Sequence, residues 1–118
     1  MVEFNGKRII GSKTIKYMTK GHLPSTIQGI GRGESPNDPS IAARTFGLGF
    51  GIINSPETLG VIGSKGIYSW GGAAGTIFWI DPEEEIVVVS MIQLMQSPWN
   101  LRNDLKVATY QAIVDTYE

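Results

Sequence analysis

Two adjacent apolar segments in the second half of the chain constrain its fold most strongly. They read GTIFWID and EEIVVVSMIQL, and the residues Asp81-Pro82-Glu83-Glu84 connect them. Runs rich in β-branched and aromatic residues that are bounded by turn residues are typical of strands, so we predict an antiparallel hairpin. Because both runs are almost continuously apolar, we expect both strands to lie in the middle of a sheet that is covered on both faces.

The first half of the chain predicts one short helix, a loop and a further strand. The segment KTIKYMTKG follows Ser12, which can cap the helix, and Gly21 can end it. The stretch over residues 23–40 is rich in Gly, Pro, Ser and Asn and has neither a helical nor a strand period, so we predict a loop. After it, RTFGLGFGII alternates apolar residues with glycines, which predicts a strand with one bare face.

The last part of the chain predicts a closing helix that packs on the sheet. It can begin at Ser97-Pro98 or at Asn100 and run to about Tyr117. We therefore predict a single α+β domain over residues 1–118. It has an antiparallel sheet of three to four strands, with a short N-terminal helix and the C-terminal helix packed on it. The apolar face of the closing helix is predicted from residues at helical spacing: Leu101, Leu105, Ala108 and Ala112.

Composition argues against several classes of function. The chain has 118 residues and a formal charge of -1, and its Lys and Arg residues are scattered, so we predict no nucleic-acid partner. It contains no Cys and one His, so we predict no metal site, and no G-x-G-x-x-G motif or other cofactor signature is present. Its apolar runs are far shorter than the ~20 residues that a membrane-spanning helix needs, and the cellular compartment stays open.

A search for nucleophile motifs finds none. None of the nine serines is followed by Lys three positions later, and Gly-x-Ser-x-Gly is also absent. His22 has no neighbouring carboxylate to orient it, so we predict a surface or locally capping role. The acidic residues Asp81, Glu83, Glu84 and Glu85 lie in the predicted hairpin turn, where we expect them to be solvated.

The stretch YSWGGAAGTIFWIDP, residues 68–82, carries a resemblance to a known family. Together with FNGKRIIGSKTIKYMTKGHLP and GLGFGI before it and a closing helix after it, it is similar to the carboxy-terminal part of the β-lactamase-related serine hydrolases. These include class C β-lactamases, penicillin-binding-protein-like peptidases and esterases with a β-lactamase fold. Their third active-site motif reads Lys-Thr-Gly, His-x-Gly or Trp-x-Gly, and Trp70, Gly71 and Gly72 stand at the corresponding positions here.

The resemblance implies a role for each residue of this motif. Trp70, Gly71 and Gly72 would border the acyl group of a substrate, and the backbone N–H of Ala73 would be one donor of an oxyanion hole. The second donor in such enzymes is the N–H of the nucleophilic serine. The alternative is structural: Gly71-Gly72 would form a bulge, and Trp70 would be a packing residue.

The departures from the family lead to two expectations. Family members carry Ser-x-x-Lys and a second motif far upstream of this region. We therefore expect this chain to be a C-terminal portion that is inactive alone. It would act on an acyl substrate only when an N-terminal part completes it. We also expect an exposed sheet edge that supports self-association or pairing with that part. A non-enzymatic interaction domain that binds through this edge is the alternative. Trp70 in place of the motif lysine favours neutral acyl esters or a related amide over carboxylated substrates.

Overall fold

The computed structural model describes residues 3–24 and 42–115, so most of the predicted loop and Tyr117 lie outside the described residues. The elements form an α+β fold with one antiparallel sheet. One helix precedes the first strand in the sequence, and another follows the last strand. In chain order they are α1 (Ser12–Met18), β1 (Arg44–Phe46), β2 (Gly51–Ile53), α2 (Pro56–Leu59), β3 (Tyr68–Gly71), β4 (Ile77–Asp81), β5 (Ile86–Ser90) and α3 (Leu101–Gln111).

The sheet is an antiparallel meander of five strands in the order β1-β2-β3-β4-β5, rather than three to four. The additional strand arises because RTFGLGFGII forms two strands and not one. The chain reverses between Phe46 and Gly51, which pair directly, and the N–H of Gly47 donates to the carbonyl of Phe50 at 2.8 Å. Gly49 has φ +95°, a left-handed conformation that glycine adopts without strain, so alternation along the sequence concealed a turn.

The predicted hairpin is confirmed as β4 and β5, with Trp79 opposite Val88. The expectation that both strands are covered on both faces is wrong for β5. Among the described residues β5 pairs only with β4, and its side chains alternate between half-buried and exposed. Val87 is 66% exposed and Val89 is 59% exposed, so β5 is an edge strand with an uncovered apolar face.

The core lies between one face of the sheet and α3. It is built around Ile67, Trp79 and Tyr110, with further apolar side chains packed against them. Helix α3 follows Asn100, one of the two predicted starts, and it ends at Gln111 rather than near Tyr117. Its most buried residues are Lys106 and Tyr110, whereas Ala108 and Ala112 are exposed, so the predicted inward face is wrong in these positions. The hydrophobic pattern misled because the helix buries a long amphipathic side chain and a tyrosine rather than two alanines.

Helix α1 docks on the β1–β2 end of the sheet through the backbone. The N–H of Leu48 donates to the carbonyl of Met18 at 2.9 Å. Gly11, not Ser12, is the N-cap of α1, and the helix ends before Gly21, which lacks a left-handed φ; both details differ from the prediction. Within residues 3–24 and 42–115, every helix is too short or too polar to cross a membrane.

Candidate functional site

A tight turn joins β3 to β4 and contains most of the glycine cluster. The N–H of Gly75 donates to the carbonyl of Gly72 at 3.1 Å, and the N–H of Gly72 donates to the carbonyl of Thr76 at 2.9 Å. Gly75 has φ +88°. This hydrogen-bond pattern, with a left-handed glycine as the last loop residue, is one of the common short hairpin connections. The conformation of the turn therefore requires a glycine at position 75.

Gly71 is required for a different reason, which is space. A Cβ atom at this position would lie 2.9 Å from the carbonyl oxygen of Thr76 and 3.0 Å from Nη2 of Arg102. Gly71 pairs with Ile77 in a register that continues unbroken along β3 and β4, so the bulge interpretation of Gly71-Gly72 is wrong. The bare face of Gly71 instead admits a side chain of α3.

The turn is held from two sides by hydrogen bonds to its carbonyl groups. Nη2 of Arg102, in the first turn of α3, donates to the carbonyl oxygen of Gly72 at 2.8 Å. The N–H of Leu94, which follows β5, donates to the carbonyl oxygen of Ala74 at 2.9 Å. Both contacts join residues far apart in sequence, so the packing of the fold determines the shape of this turn.

The backbone N–H of Ala73 is left without an acceptor among the described residues. Ala73 is exposed, whereas Ala74, whose N–H also has no acceptor within residues 3–24 and 42–115, is half-buried. An exposed N–H on a turn whose neighbouring carbonyls are already bonded is a donor that is available to an anionic oxygen. The sequence analysis predicted an oxyanion donor at Ala73, and that role stays a prediction.

Trp70 stands beside this donor at the end of β3. Its side chain is 52% exposed, and its ring meets the ring of Phe46 edge to face at a centroid distance of 5.0 Å. Trp70 and Gly71 border two cavities, one of about 500 Å³ beside α3 and one of about 570 Å³ that also includes Gly72. Trp70, Gly71 and Gly72, which the sequence analysis singled out, thus border open space, whereas the next residue, Ala73, lines a third cavity of about 210 Å³.

The first cavity contains basic residues that sequence reasoning missed. Arg44, Arg102 and Lys106 line it. Lys106 is almost fully buried, and its ammonium group lies 5.7 Å from the centroid of the Trp79 ring. Burial and the neighbouring charge of Arg44 lower the pKa of Lys106, and the charge of Asp81 partly offsets this. The helical spacing that places Lys106 on the core face was visible in the sequence, but its charge argued for solvent exposure.

Asp81 is fully buried, so the prediction that it lies in a solvated turn is wrong. The hydroxyl of Tyr110 in α3 donates to its Oδ2 at 2.6 Å. Burial, and then the hydrogen bond to Asp81, raise the pKa of Tyr110. An aspartate at the end of an apolar strand was the available signal. The carboxylate also accepts from three backbone N–H groups, those of Ser64, Glu83 and Glu84.

His22 has the local role that the sequence predicted. Its Nε2 lies 2.7 Å from the carbonyl oxygen of Tyr17 near the end of α1, and its ring packs edge to face against the Tyr17 ring at 4.6 Å. The carbonyl groups in the last turn of a helix have no partner within the helix, so this contact satisfies one of them. His22 therefore belongs to the α1 end of the chain and not to the β3–β4 turn.

The sheet, the helix that covers its inner face and the exposed donor of the turn together define a part of a β-lactamase-type fold. The Beta-lactamase family model matches residues 16–112, and the chain belongs to this family. The resemblance inferred from the sequence is thereby confirmed.

Solved structures share this fold, and one of them matches most of the chain. It is EstCE1, a hydrolase with promiscuous acyltransferase activity, with a TM-score of 0.64 and 21% sequence identity. The match covers 89% of this chain and 25% of that chain, so this chain spans about a quarter of the length of EstCE1. At this level of identity the similarity establishes the fold. No curated protein matches the chain.

Proposed function

We propose that this chain supplies the third-motif strand and one oxyanion donor of a serine hydrolase that cleaves esters, amides or β-lactams through an acyl-enzyme. In this function Trp70, Gly71 and Gly72 border the acyl group, and the N–H of Ala73 binds the oxygen that becomes negatively charged. The observation that carries the proposal is that Ala73 is exposed and that its N–H has no acceptor within residues 3–24 and 42–115, on a turn that other contacts hold. A preorganised donor of this kind contributes about 100- to 1,000-fold to turnover.

The proposal assigns the nucleophile and its base to residues outside this sequence. None of the nine serines has a lysine one helical turn later, so the chain contains no Ser-x-x-Lys pair. An oxyanion donor without a nucleophile has no charge to stabilise. The chain alone is therefore expected to be inactive, and the N–H of the serine in the completing segment would be the second donor.

The substrate class follows from the residue at the first motif position. A lysine there would hold a substrate carboxylate, and Trp70 provides an apolar, half-exposed ring instead. Neutral acyl esters or a related amide are therefore the proposed substrates. In the completed enzyme, Trp70→Lys should raise the kcat/KM ratio of a carboxylated ester over its neutral analogue, and an unchanged ratio would refute this assignment.

The test of the proposed function removes the donor and keeps the turn. The hydrogen bond from Gly75 to Gly72 makes Ala73 the second residue of a β-turn, where proline is common. Ala73→Pro should therefore remove the N–H with little change to the conformation of the loop. The protein to use is the product of the complete reading frame with a Ser-x-x-Lys segment, and the readout is the rate of acylation by a fluorophosphonate and by a p-nitrophenyl ester.

Ala73→Pro should slow p-nitrophenyl ester turnover by about 100-fold or more, whereas Ala73→Ser, which keeps the N–H, should stay near the wild-type rate. Wild-type turnover by Ala73→Pro would show that the N–H is not the donor. The isolated 118-residue chain should gain no mass from either a fluorophosphonate or a penicillin. A stoichiometric adduct would mean that one of its own serines is activated.

A second candidate function, a non-enzymatic interaction domain, is favoured by one observation. The outer face of β5 carries exposed Val87 and Val89, and Met91 directly after the strand is 84% exposed. Such an edge can pair with another strand. A reading frame without Ser-x-x-Lys upstream, combined with tight binding of a partner through β5, would favour this alternative over the enzyme.

A further inference from the structure

We propose that Arg102 is a positioning residue for the oxyanion donor and that it acts through the peptide group between Gly72 and Ala73. This inference rests on the proposed function. A peptide group is planar and trans, so its C=O and N–H bonds point in opposite directions within one rigid plane. A contact that holds the carbonyl oxygen of Gly72 therefore also determines the direction of the N–H of Ala73.

The carbonyl oxygen of Gly72 accepts two hydrogen bonds. One comes from the N–H of Gly75 at 3.1 Å within the turn, and the other comes from Nη2 of Arg102 at 2.8 Å. A charged guanidinium donor makes a shorter and stronger bond than a neutral amide. The two donors restrict the rotation of this peptide plane more than the turn hydrogen bond does alone.

Gly71 supplies independent support, because it makes room for this contact. A Cβ atom at position 71 would lie 3.0 Å from Nη2 and 3.2 Å from Cζ of Arg102. The guanidinium group thus packs against the bare backbone of the strand that ends in the turn. The glycine immediately before the turn and the arginine in the first turn of α3 thus face each other, and neither belongs to the core cluster around Trp79.

The charge of Arg102 also has an electronic consequence. A cation at the carbonyl oxygen polarises the peptide group and increases the partial positive charge on its N–H hydrogen. The N–H of Ala73 is then both oriented and made a stronger donor before an oxyanion forms. The peptide group therefore needs no reorientation during the reaction. Arg102 would thereby contribute to catalysis without touching the substrate.

The first arm of the experiment tests the contact in the isolated chain by NMR, with no requirement for activity. Isotope-labelled wild type, Arg102→Met and Arg102→Lys are compared with the control Arg8→Gln, which removes an exposed arginine that forms an ion pair with Glu3 at 3.8 Å. Arg102→Met should shift the Gly72 carbonyl carbon and the Ala73 amide nitrogen upfield and lower the Ala73 order parameter. Arg102→Lys should give a smaller change, and Arg8→Gln none. Unchanged Gly72 and Ala73 resonances in folded Arg102→Met would overturn the inference.

The second arm uses a double-mutant cycle in the completed enzyme. Arg102→Met should lower kcat by about tenfold with little change in KM, and Arg102→Lys should recover part of the loss. If Arg102 acts through the Ala73 N–H, then Arg102→Met should have no further effect on kcat in the Ala73→Pro background. Multiplicative losses would overturn the inference while leaving the proposed function in place. A normal rate for Ala73→Pro alone would instead refute the proposed function.

Discussion

At the scale of single residues, the contact between Asp81 and Tyr110 joins the sheet to α3. The carboxylate is fully buried and accepts the Tyr110 hydroxyl at 2.6 Å, and it also accepts from the backbone of the β4–β5 turn and from Ser64. A buried carboxylate without donors would be strongly unfavourable, so these hydrogen bonds are what make its burial tolerable. The pair therefore determines how α3, and with it Arg102, sits on the sheet.

Tyr110→Phe should lower the free energy of unfolding by about 1 to 3 kcal/mol, because it removes a donor to a buried charge. Urea denaturation followed by circular dichroism measures the change. Tyr17→Phe is the matched control, since Tyr17 is 61% exposed, and it should leave the urea midpoint unchanged. Equal midpoints for Tyr110→Phe and the wild type would contradict the role of this hydrogen bond.

The same pair predicts a pH dependence. The pKa of Tyr110 is raised in the folded protein above its ordinary value of 10.0, so the unfolded chain loses this proton first as the pH increases. The stability that the neutral hydroxyl contributes is fully present below about pH 10 and is lost as the pH rises further. The stability difference between wild type and Tyr110→Phe should therefore shrink above pH 10. Lys106 and Tyr68 titrate in both proteins, so their contributions cancel in the comparison. A stability difference between wild type and Tyr110→Phe that stays constant up to pH 11 would contradict the prediction.

At the scale of elements, the β3–β4 turn depends both on the backbone conformation of its own residues and on contacts with residues distant in sequence. Gly75 is needed for the backbone conformation, Gly71 is needed for the approach of α3, and Leu94 and Arg102 bond the carbonyls of the turn. Helix α3 and the segment after β5, which are both distant in sequence, thus hold the β3–β4 turn in place. Ala73, in the middle of this turn, is exposed, and its N–H has no acceptor among the described residues.

Gly71→Ala should lower the free energy of unfolding by about 1 to 3 kcal/mol, because its Cβ would press on the Thr76 carbonyl and on Arg102. Gly51→Ala is the matched control in the neighbouring strand, where the nearest atoms to a Cβ lie at an ordinary 3.5 Å. It should be neutral or slightly stabilising. Urea midpoints of the two variants decide the matter, and equal tolerance at both positions would show that the space at Gly71 is not limiting.

At the scale of the whole molecule, β5 is an edge strand that exposes apolar side chains. Val87, Val89 and Met91 are exposed at alternate positions along the sequence, and β5 pairs with no strand other than β4 in the part of the chain that the structure describes. A long apolar edge of this kind is a site for pairing with another strand, either from a second copy or from a completing segment. The sheet as described here is therefore expected to be stabilised by association.

We predict that the isolated chain self-associates in solution at micromolar concentration and that Val89→Lys shifts it towards the monomer. A lysine at an edge position opposes strand pairing because its charge would be desolvated. Sedimentation velocity measures the distribution. Val114→Lys is the control, since Val114 is 91% exposed and follows α3 in the chain rather than belonging to β5. A wild-type chain that sediments as a monomer would contradict the prediction.

Features that depend on neighbours in sequence were predictable. The β4–β5 hairpin followed from two apolar runs separated by an acidic turn, and the start of α3 followed from Asn100. The glycine cluster after Trp70 indicated a close backbone approach, and the family resemblance that it carried is confirmed. Alternation alone did not reveal the turn at Gly49, because a strand with glycines on one face and a hairpin with a left-handed glycine share the same pattern.

By itself, the sequence determined the family, the hairpin and the position of the motif, because each depends on residue types at short, fixed spacing. Only the tertiary structure decided which side chains meet across long separations. Tyr110 donates a hydrogen bond to the buried Asp81 from 29 residues away, and Arg102 donates one to the carbonyl oxygen of Gly72 from 30 residues away. A charged residue is expected in solvent until the packing of distant elements supplies its partners, and that packing has no local signature.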